Sequence, residues 1–384
     1  MKFIHTSDWH LGHSLYGADR TGEQSSMLSQ IEEIVRLESP DALIVSGDIY
    51  HTGVPSATVQ RIFTEAVLRI HAACPGMVVV ITAGNHDSAA KHTVSKVLWE
   101  TQNVHMVSYL TDGPVIEVPG KGWIAAVPYI NERSMPEGLF QTILDDIAGR
   151  NADGLPVVLS AHLTVRGSDF AGHEDVRNCI VGGIEGVDLA ALGSGYDYAA
   201  LGHIHHGQAV LGSGGRVRYS GTPIPVSFDE KFAHGVSVVE IASHGAAPKV
   251  REVEIKNPRP LVNIPADGFA PWDEVKAKAT DFPKDKPCYV RLNVEVDDCL
   301  PSDAKDEAMS IFAGGEARFC LVNARRKAAE GNSGKALTVS EFQAMEPLEV
   351  ARLYASETAR TFGDDLEKLF MAVADEVKNA SRNQ

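Results

Sequence analysis

The sequence has no apolar stretch long enough to cross a bilayer, which leaves no transmembrane segment to read. Its first residues, MKFIHTSDWH, lack the apolar run and small-residue cleavage site of a secretory signal. Cysteine is scarce: Cys74, Cys179, Cys288, Cys299 and Cys320 are odd in number and form no C-x-x-C pair. That argues against a disulfide framework and points to a reduced, cytoplasmic setting with the thiols as small core residues. Positive charge is also short, with 35 Lys and Arg against 51 Asp and Glu and a formal net charge of −16. Such a balance works against long-range attraction of nucleic acid, although a site built on metal ions brings its own positive charge. What is present is ordinary for a globular chain: 384 residues, 44% hydrophobic, enough for a large core and more than one domain.

The first 260 residues or so alternate β-type runs with helical patterns. KFIHTS, DALIVSG (41–47), GMVVVITAG (76–84) and LPVVLSA (155–161) are apolar, β-branched and end at Gly or small polar residues, as buried strands do. A helix is predicted over about Gln24–Glu38. A second follows Ser56 as N-cap, with Val59, Ile62, Phe63, Ala66, Val67 and Ile70 at helical spacing. After position 195 strands come closer together: YDYAALG, GQAVLG, RVRYSG, GVSVVEI and VREVEI. Their spacing suggests a second, more antiparallel sheet. KNPRP (256–260) reads as a boundary. Beyond it a small α+β unit is expected, with strands LVNIP, CYVRLNVEV and ARFCLVNA and helices near 272–280 and after Ser302. RRKAAEGNSGKA (325–336) reads as a linker. The C-terminal residues read as helical, with Leu366, Leu369, Phe370 and Val373 on one stripe. The simpler reading is a helix pair packed on its own protein; the sharper one is a docking module for another chain.

In open α/β sheets, sites form where the strands end. Here those ends carry SDWHLG (Asp8, His10), SGDIYH (Asp48, His51), AGNHD (Asn85, His86, Asp87), SAHLTVRG (His162) and LGHIHHG (His203, His205, His206). Taken singly, each reads as a cap, a solvated loop residue or a satisfied structural histidine. As a set, carboxylate, imidazole and amide oxygen recur at successive strand ends, which coincidence explains poorly. No cysteine is among them, so a structural zinc site is disfavoured. Asp, His and Asn together suit Mn²⁺, Fe²⁺ or another borderline divalent ion. The candidates are too many for one tetrahedral ion and about right for two, the arrangement used to clamp a phosphoester.

In this order, D-x-H, G-D, G-N-H-D, a lone H and G-H-x-H resemble the motifs of the calcineurin-like metallophosphoesterases. The finer wording, with AHLTV, GDIYHTGVPS and YSGTPIPVSFDE (219–230), resembles the Mre11/SbcD nucleases, the bacterial SbcD type above all. The resemblance is strong over 1–260 and more general beyond. It implies an α/β/β/α two-sheet sandwich with a small α+β capping domain and a helical C-terminal tail, divided 1–258, 259–335 and 336–384. It implies that Asp8, His10 and His205 hold one metal, that Asn85, His162 and His203 hold the other, and that Asp48 bridges them, most simply with two Mn²⁺. A water shared by the ions would be the nucleophile. His86 is implied as general acid or phosphate-positioning group, with Asp87 orienting its imidazole, capping the next helix, or both at once, and His51 as a phosphate contact. His206 has no counterpart and reads as a spare. The glycines flanking GHIHHG would let the chain turn, so that His203 and His205 meet different ions. His13, Tyr16, Arg20, Arg133, Arg166 and Arg177 lie on loops of the same face and could touch phosphates, though each reads more simply as a surface residue.

The implied activity is that of a Mn²⁺-dependent DNA nuclease, a double-strand 3′–5′ exonuclease and single-strand or hairpin endonuclease processing DNA ends. It would work with an SbcC/Rad50-like ATPase, as a homodimer within a heterotetramer in the cytoplasm. Phe63, Val67, Val97, Leu98 and Trp99 are the apolar residues expected at the dimer surface. The alternatives are a binuclear phosphodiesterase acting on cyclic nucleotides or phosphoproteins, and a DNA-end tether with a vestigial site. The GDIYH and GNHD wording disfavours a protein phosphatase, and the presence of every expected ligand disfavours the tether.

Overall fold

The apolar β-type runs assemble into two six-stranded sheets. The structure, a computed structural model, describes residues 1–94, 96–172, 186–327, 345, 347–357, 362–363 and 366–371. In the first sheet, Lys2–Thr6 pairs in parallel with Ala42–Ser46, which pairs with Val78–Thr82 and then Val104–Val107. In the second, Val157–His162 lies in parallel between Gly122–Val127 and Tyr198–Gly202, and Tyr198–Gly202 is parallel to Val217–Tyr219. The central strands of the parallel set are buried on both faces, which is why the runs are continuous rather than alternating.

Alternate residues of each strand face different layers. Phe3, Ala42, Ile44, Val78 and Val80 meet Ile124, Ala126, Val158, Tyr198 and Ala200 between the two sheets. Ile4, Leu43, Val45 and Val79 face the helices Thr21–Glu38 and Ala57–Ala73 on the outer side of the first sheet. Helix Leu139–Arg150 covers the outer side of the second through Phe140, Ile143, Leu144 and Ile147. The result is the expected α/β/β/α sandwich. Ser56 caps its helix as predicted, its side chain accepting from the Val59 N–H at 3.3 Å. Helix Thr21–Glu38 begins three residues before the predicted Gln24.

Two expectations fail here. Gly235–Glu240 and Lys249–Glu254 do not build an antiparallel second sheet; they extend the edge of the first, antiparallel beside Lys2–Thr6. The second sheet keeps a parallel centre. Phe63, Val67 and Trp99, expected at a dimer surface, are only 3%, 2% and 7% exposed. They pack under Trp9 and Tyr50 as core. Of that apolar set only Val97 and Leu98 are exposed, together with Val94.

After residue 259 come a three-stranded sheet of Leu261–Ile264, Cys288–Val296 and Ala317–Arg326, and helices Trp272–Asp281 and Ala304–Ile311, around a core of Val275, Val290, Leu292 and Phe312. Tyr289 leaves that core and joins Leu15, Ala18 and Phe228, its hydroxyl donating to Glu23 at 2.6 Å. The described residues up to Arg325 belong to one compact unit and those from Arg326 onward to a second. In the second, helix Pro347–Glu357 is tied to the following turn of chain by Arg352 and Glu367 at 2.6 Å. Tyr354, Leu366, Leu369 and Met371 are exposed. Val373 and most of the expected linker lie outside the described residues.

Candidate metal centre

The parallel strands of both sheets end along one rim, and the loops that leave them carry the candidate donors. Asp8 and His10 follow Lys2–Thr6, Asp48 and His51 follow Ala42–Ser46, and Asn85 and His86 follow Val78–Thr82. His162 is the last residue of its strand, and His203 and His205 follow Tyr198–Gly202. The loops are stitched to one another: the backbone N–H of Asp8, His10 and Leu11 donate to the carbonyls of Gly47, Asp48 and Ile49. Four donor-bearing residues stand at positive φ, Asp8 at 54°, His10 at 44°, Asp48 at 52° and His203 at 96°. Residues with side chains rarely adopt this conformation, and surrounding structure must hold it.

The donors fall into two groups. Asp8, His10 and His205 bring one donor atom each to within 4.8 Å of one another, with His10 Nε2 and His205 Nε2 3.2 Å apart. In the other, Asn85 Oδ1 is 3.0 Å from His162 Nε2 and 3.0 Å from His203 Nδ1. Asp48 stands between them. Its Oδ2 is 3.8 Å from His10 Nε2 and 3.4 Å from His162 Nε2, while its Oδ1 accepts the His86 N–H at 2.9 Å. All seven sequence candidates are thus brought together. A cleft of about 330 Å³ opens over them, lined also by His13, His51, His86, Phe170 and Glu230.

The set fits two divalent cations. Ring nitrogens converge on each other and on buried carboxylates, with no lysine or arginine among the described residues lining the cleft. Donors of O and N type without thiolate suit a borderline ion. The calcineurin-like phosphoesterase family matches residues 1–207. The chain belongs to the calcineurin-like phosphoesterase family. As such it is a metal-dependent phosphoester hydrolase. Curated relatives carry the similarity along most of the chain. The SbcD subunit of nuclease SbcCD from Rhodobacter capsulatus is 32% identical over 309 residues, covering 72% of this chain and 75% of that one. Its Bacillus subtilis counterpart is 30% identical over 322 residues, 78% and 80% of the two chains. The Escherichia coli K12 counterpart is 28% identical over 328, 78% and 79%.

Protonation in the ion-free phosphoesterase follows burial first and neighbours second. Burial holds the His10 imidazole well below its ordinary pKa and takes His203 down to about 3, so both are neutral. Burial pushes His162 the same way, but Asp48, Asp8 and the Ser46 carbonyl outweigh it and lift it to about 9. His205 is likewise raised, against burial, chiefly by Glu230. Burial raises Asp8, whereas in Asp48 the surrounding imidazoles overcome burial and hold the carboxyl below its usual range.

His86 and His51 line the cleft. His86 Nδ1 donates to the His51 carbonyl at 2.8 Å, which leaves Nε2 as its free ring nitrogen. The two rings stack with centroids 5.7 Å apart, and each meets His10 edge-on. Asp87 departs from both expected roles. Its carboxylate accepts the backbone N–H of Gly84, Ile49 and Tyr50 at 2.9, 3.1 and 2.9 Å. It thereby ties the third strand's loop to the second's; it neither orients His86 nor caps the helix Ala89–Val94.

The glycine argument for GHIHHG also changes. The turn falls at His203 itself. Gly202 is required for a close approach: a Cβ there would lie 1.9 Å from the Ser46 carbonyl and 2.9 Å from His162 Nδ1. His206 is outside the centre, paired with Asp169 at 3.0 Å and stacked on Phe232. Arg20 is buried, donating to the Pro225 carbonyl at 2.7 Å. Arg166 pairs with Asp188, His13 lines the cleft, and Arg177 lies outside the described residues. Glu230 was missed. It accepts from His205 Nδ1 at 2.8 Å from a fully buried position. The only sequence signal for it was its place at the end of YSGTPIPVSFDE.

Proposed function

We propose that this phosphoesterase is the nuclease subunit of an SbcCD-type complex, a Mn²⁺-dependent phosphodiester hydrolase acting on DNA ends and hairpins. The observation that carries the reading is the convergence of seven donors into two groups sharing Asp48, beneath a cleft walled by His51 and His86. Three SbcD relatives of 28–32% identity support the substrate class. Asp8, His10 and His205 would hold one ion, Asn85, His162 and His203 the other, and Asp48 would be shared between them. When bound, such a pair of ions supplies an activated water and neutralises charge developing on the phosphate.

The chain's own residues do the rest. His86, its Nδ1–H fixed on the His51 carbonyl, presents Nε2 to the cleft and, as the imidazolium, hands the Nε2 proton to the leaving oxygen and becomes neutral, while His51 contacts the phosphate. The result is a 3′–5′ exonuclease activity on duplexes and an endonuclease activity on single strands and hairpins, used in repair, recombination and replication. Residues 1–258 carry the chemistry, 259–335 cap the cleft, and 336–384 dock an SbcC/Rad50-like ATPase in the cytoplasm. That partner supplies most of the DNA affinity that a chain of net charge −16 lacks. Val94, at the end of helix Ala89–Val94, and Val97 and Leu98, on helix Lys96–Glu100, are exposed and form the homodimer contact of the resulting heterotetramer.

The test is hydrolysis of a labelled duplex and a labelled hairpin with Mn²⁺, with and without the partner ATPase. Cleavage that disappears in His86→Ala while two ions remain bound is the expected result. Turnover of a cyclic nucleotide or phosphoprotein with no nucleolysis would overturn it.

A further inference from the structure

Metal-ligating imidazoles need the second ring nitrogen fixed, because that bond sets both tautomer and orientation. The histidines of this centre are fixed unequally. His162 rests Nδ1 on a neutral acceptor, the Ser46 carbonyl, at 2.8 Å. His10 Nδ1 is buried and has no hydrogen-bond partner among the described residues. Of these three, His205 is the one whose Nδ1 rests on a carboxylate, that of Glu230, at 2.8 Å.

The Glu230 carboxylate is held in turn. Its Oε2 accepts the Val226 N–H at 3.0 Å and the Thr222 hydroxyl at 3.3 Å. Thr222 also donates its N–H to the His205 carbonyl at 3.0 Å, so one short segment grips His205 at backbone and ring. A Cβ on Gly221 would lie 2.4 Å from that carbonyl, which shows how close the segment comes. The segment is anchored further by Arg20 on the Pro225 carbonyl at 2.7 Å and by Arg291 on Asp229 at 2.6 Å.

We propose that Glu230 is a positioning residue that sets the affinity of one ion, the one shared by Asp8, His10 and His205, through the Nδ1–H of His205. The inference rests on the binuclear reading above. With Nδ1 donating to a carboxylate, Nε2 is left unprotonated toward the ion, and the negative charge behind the ring makes it a stronger donor. The other ion, held by Asn85, His162 and His203, has no such carboxylate among the described contacts of its ligands and is indifferent to Glu230.

The experiment is calorimetric titration of Mn²⁺ into ion-free full-length protein, wild type and Glu230→Gln. Glutamine keeps the shape and one acceptor and removes the charge. The wild type binds two ions. In the variant, one binding step weakens by about 10–100-fold, the range seen when such partners are removed, and the other step is unchanged. A residue acting only through general stability would weaken both steps. Unchanged affinity at both steps overturns the inference while leaving the binuclear reading intact; a wild type that binds no ion overturns both. A second measurement needs no variant: the ring ¹⁵N shifts of His205 in the Mg²⁺-loaded wild type show Nδ1 protonated. An unprotonated Nδ1 overturns the inference.

Discussion

Replacing Asp87 separates scaffold from chemistry. Its carboxylate is fully buried and accepts three backbone N–H groups, from Gly84, Ile49 and Tyr50. A buried donor left without a partner costs about 1–3 kcal/mol. Asp87→Ala orphans all three, an outer range of about 3–9 kcal/mol; water entering the vacated space recovers part, and we expect about 4 kcal/mol. In Asp87→Asn the amide oxygen can keep the two donors now on Oδ2, from Ile49 and Gly84, while its NH₂ confronts the Tyr50 N–H. One lost bond and one orphaned donor give about 2 kcal/mol. With a urea m-value of about 3 kcal/mol/M, the Asn variant's midpoint falls by roughly 0.7 M. Activity is read as hydrolysis of bis-p-nitrophenyl phosphate at saturating Mn²⁺, per folded molecule. Asp87→Asn should keep most of it; His86→Ala should lose it with its urea midpoint nearly unmoved. A wild-type midpoint in Asp87→Asn with activity gone would refute the scaffold assignment and return Asp87 to the chemistry.

Gly202→Ala would drive a methyl into the Ser46 carbonyl and against His162 Nδ1. The strand ends of the two sheets would part, with a cost above the roughly 1–3 kcal/mol usual for overpacking and with loss of an ion, read by urea unfolding and metal content. His162, lifted to about 9, is an imidazolium at pH 7 in the ion-free protein, and His205 is raised in the same direction. Ion binding displaces the second ring proton of His162, so affinity should climb as pH rises toward 9 and at least one proton should be released at pH 7. Calorimetry in Tris and PIPES buffers would count the protons released, and equal heats in the two buffers would contradict the assignment. Phe63→Glu should unfold the protein, since Phe63 is core, whereas Leu98→Glu should fold normally and dissociate the proposed dimer in sedimentation.

The rim of the sandwich was readable because donor types recur at successive strand ends, and a strand end is a local signal. What stayed hidden was non-local. The partner of Gly235–Glu240 is the first strand of the chain, and nothing within the GVSVVEI run says so. Phe63 and Val67 announce an apolar helix face, but periodicity is blind to whether that face meets Trp9 or another molecule. Asp87 was misread because its partners Ile49 and Tyr50 are backbone groups far upstream, and amides leave no mark in the side-chain alphabet. Glu230 carries no periodic or spacing signal, and its role exists only because the chain returns to His205.

Asp8, His10, Asp48 and His203 stand side by side in a backbone conformation that glycine enters freely and other residues enter at about 1–3 kcal/mol each. At His203, outside even the left-handed helical well, a glycine would relax the turn and delete a donor in the same stroke. Under the proposed ligand set, the sequence that folds most comfortably and the sequence that binds ions diverge at these positions. A chain released from the need to hold metal would drift toward glycine there. Four polar residues in such uncomfortable places are what the proposed centre requires and what a relic would have no reason to keep.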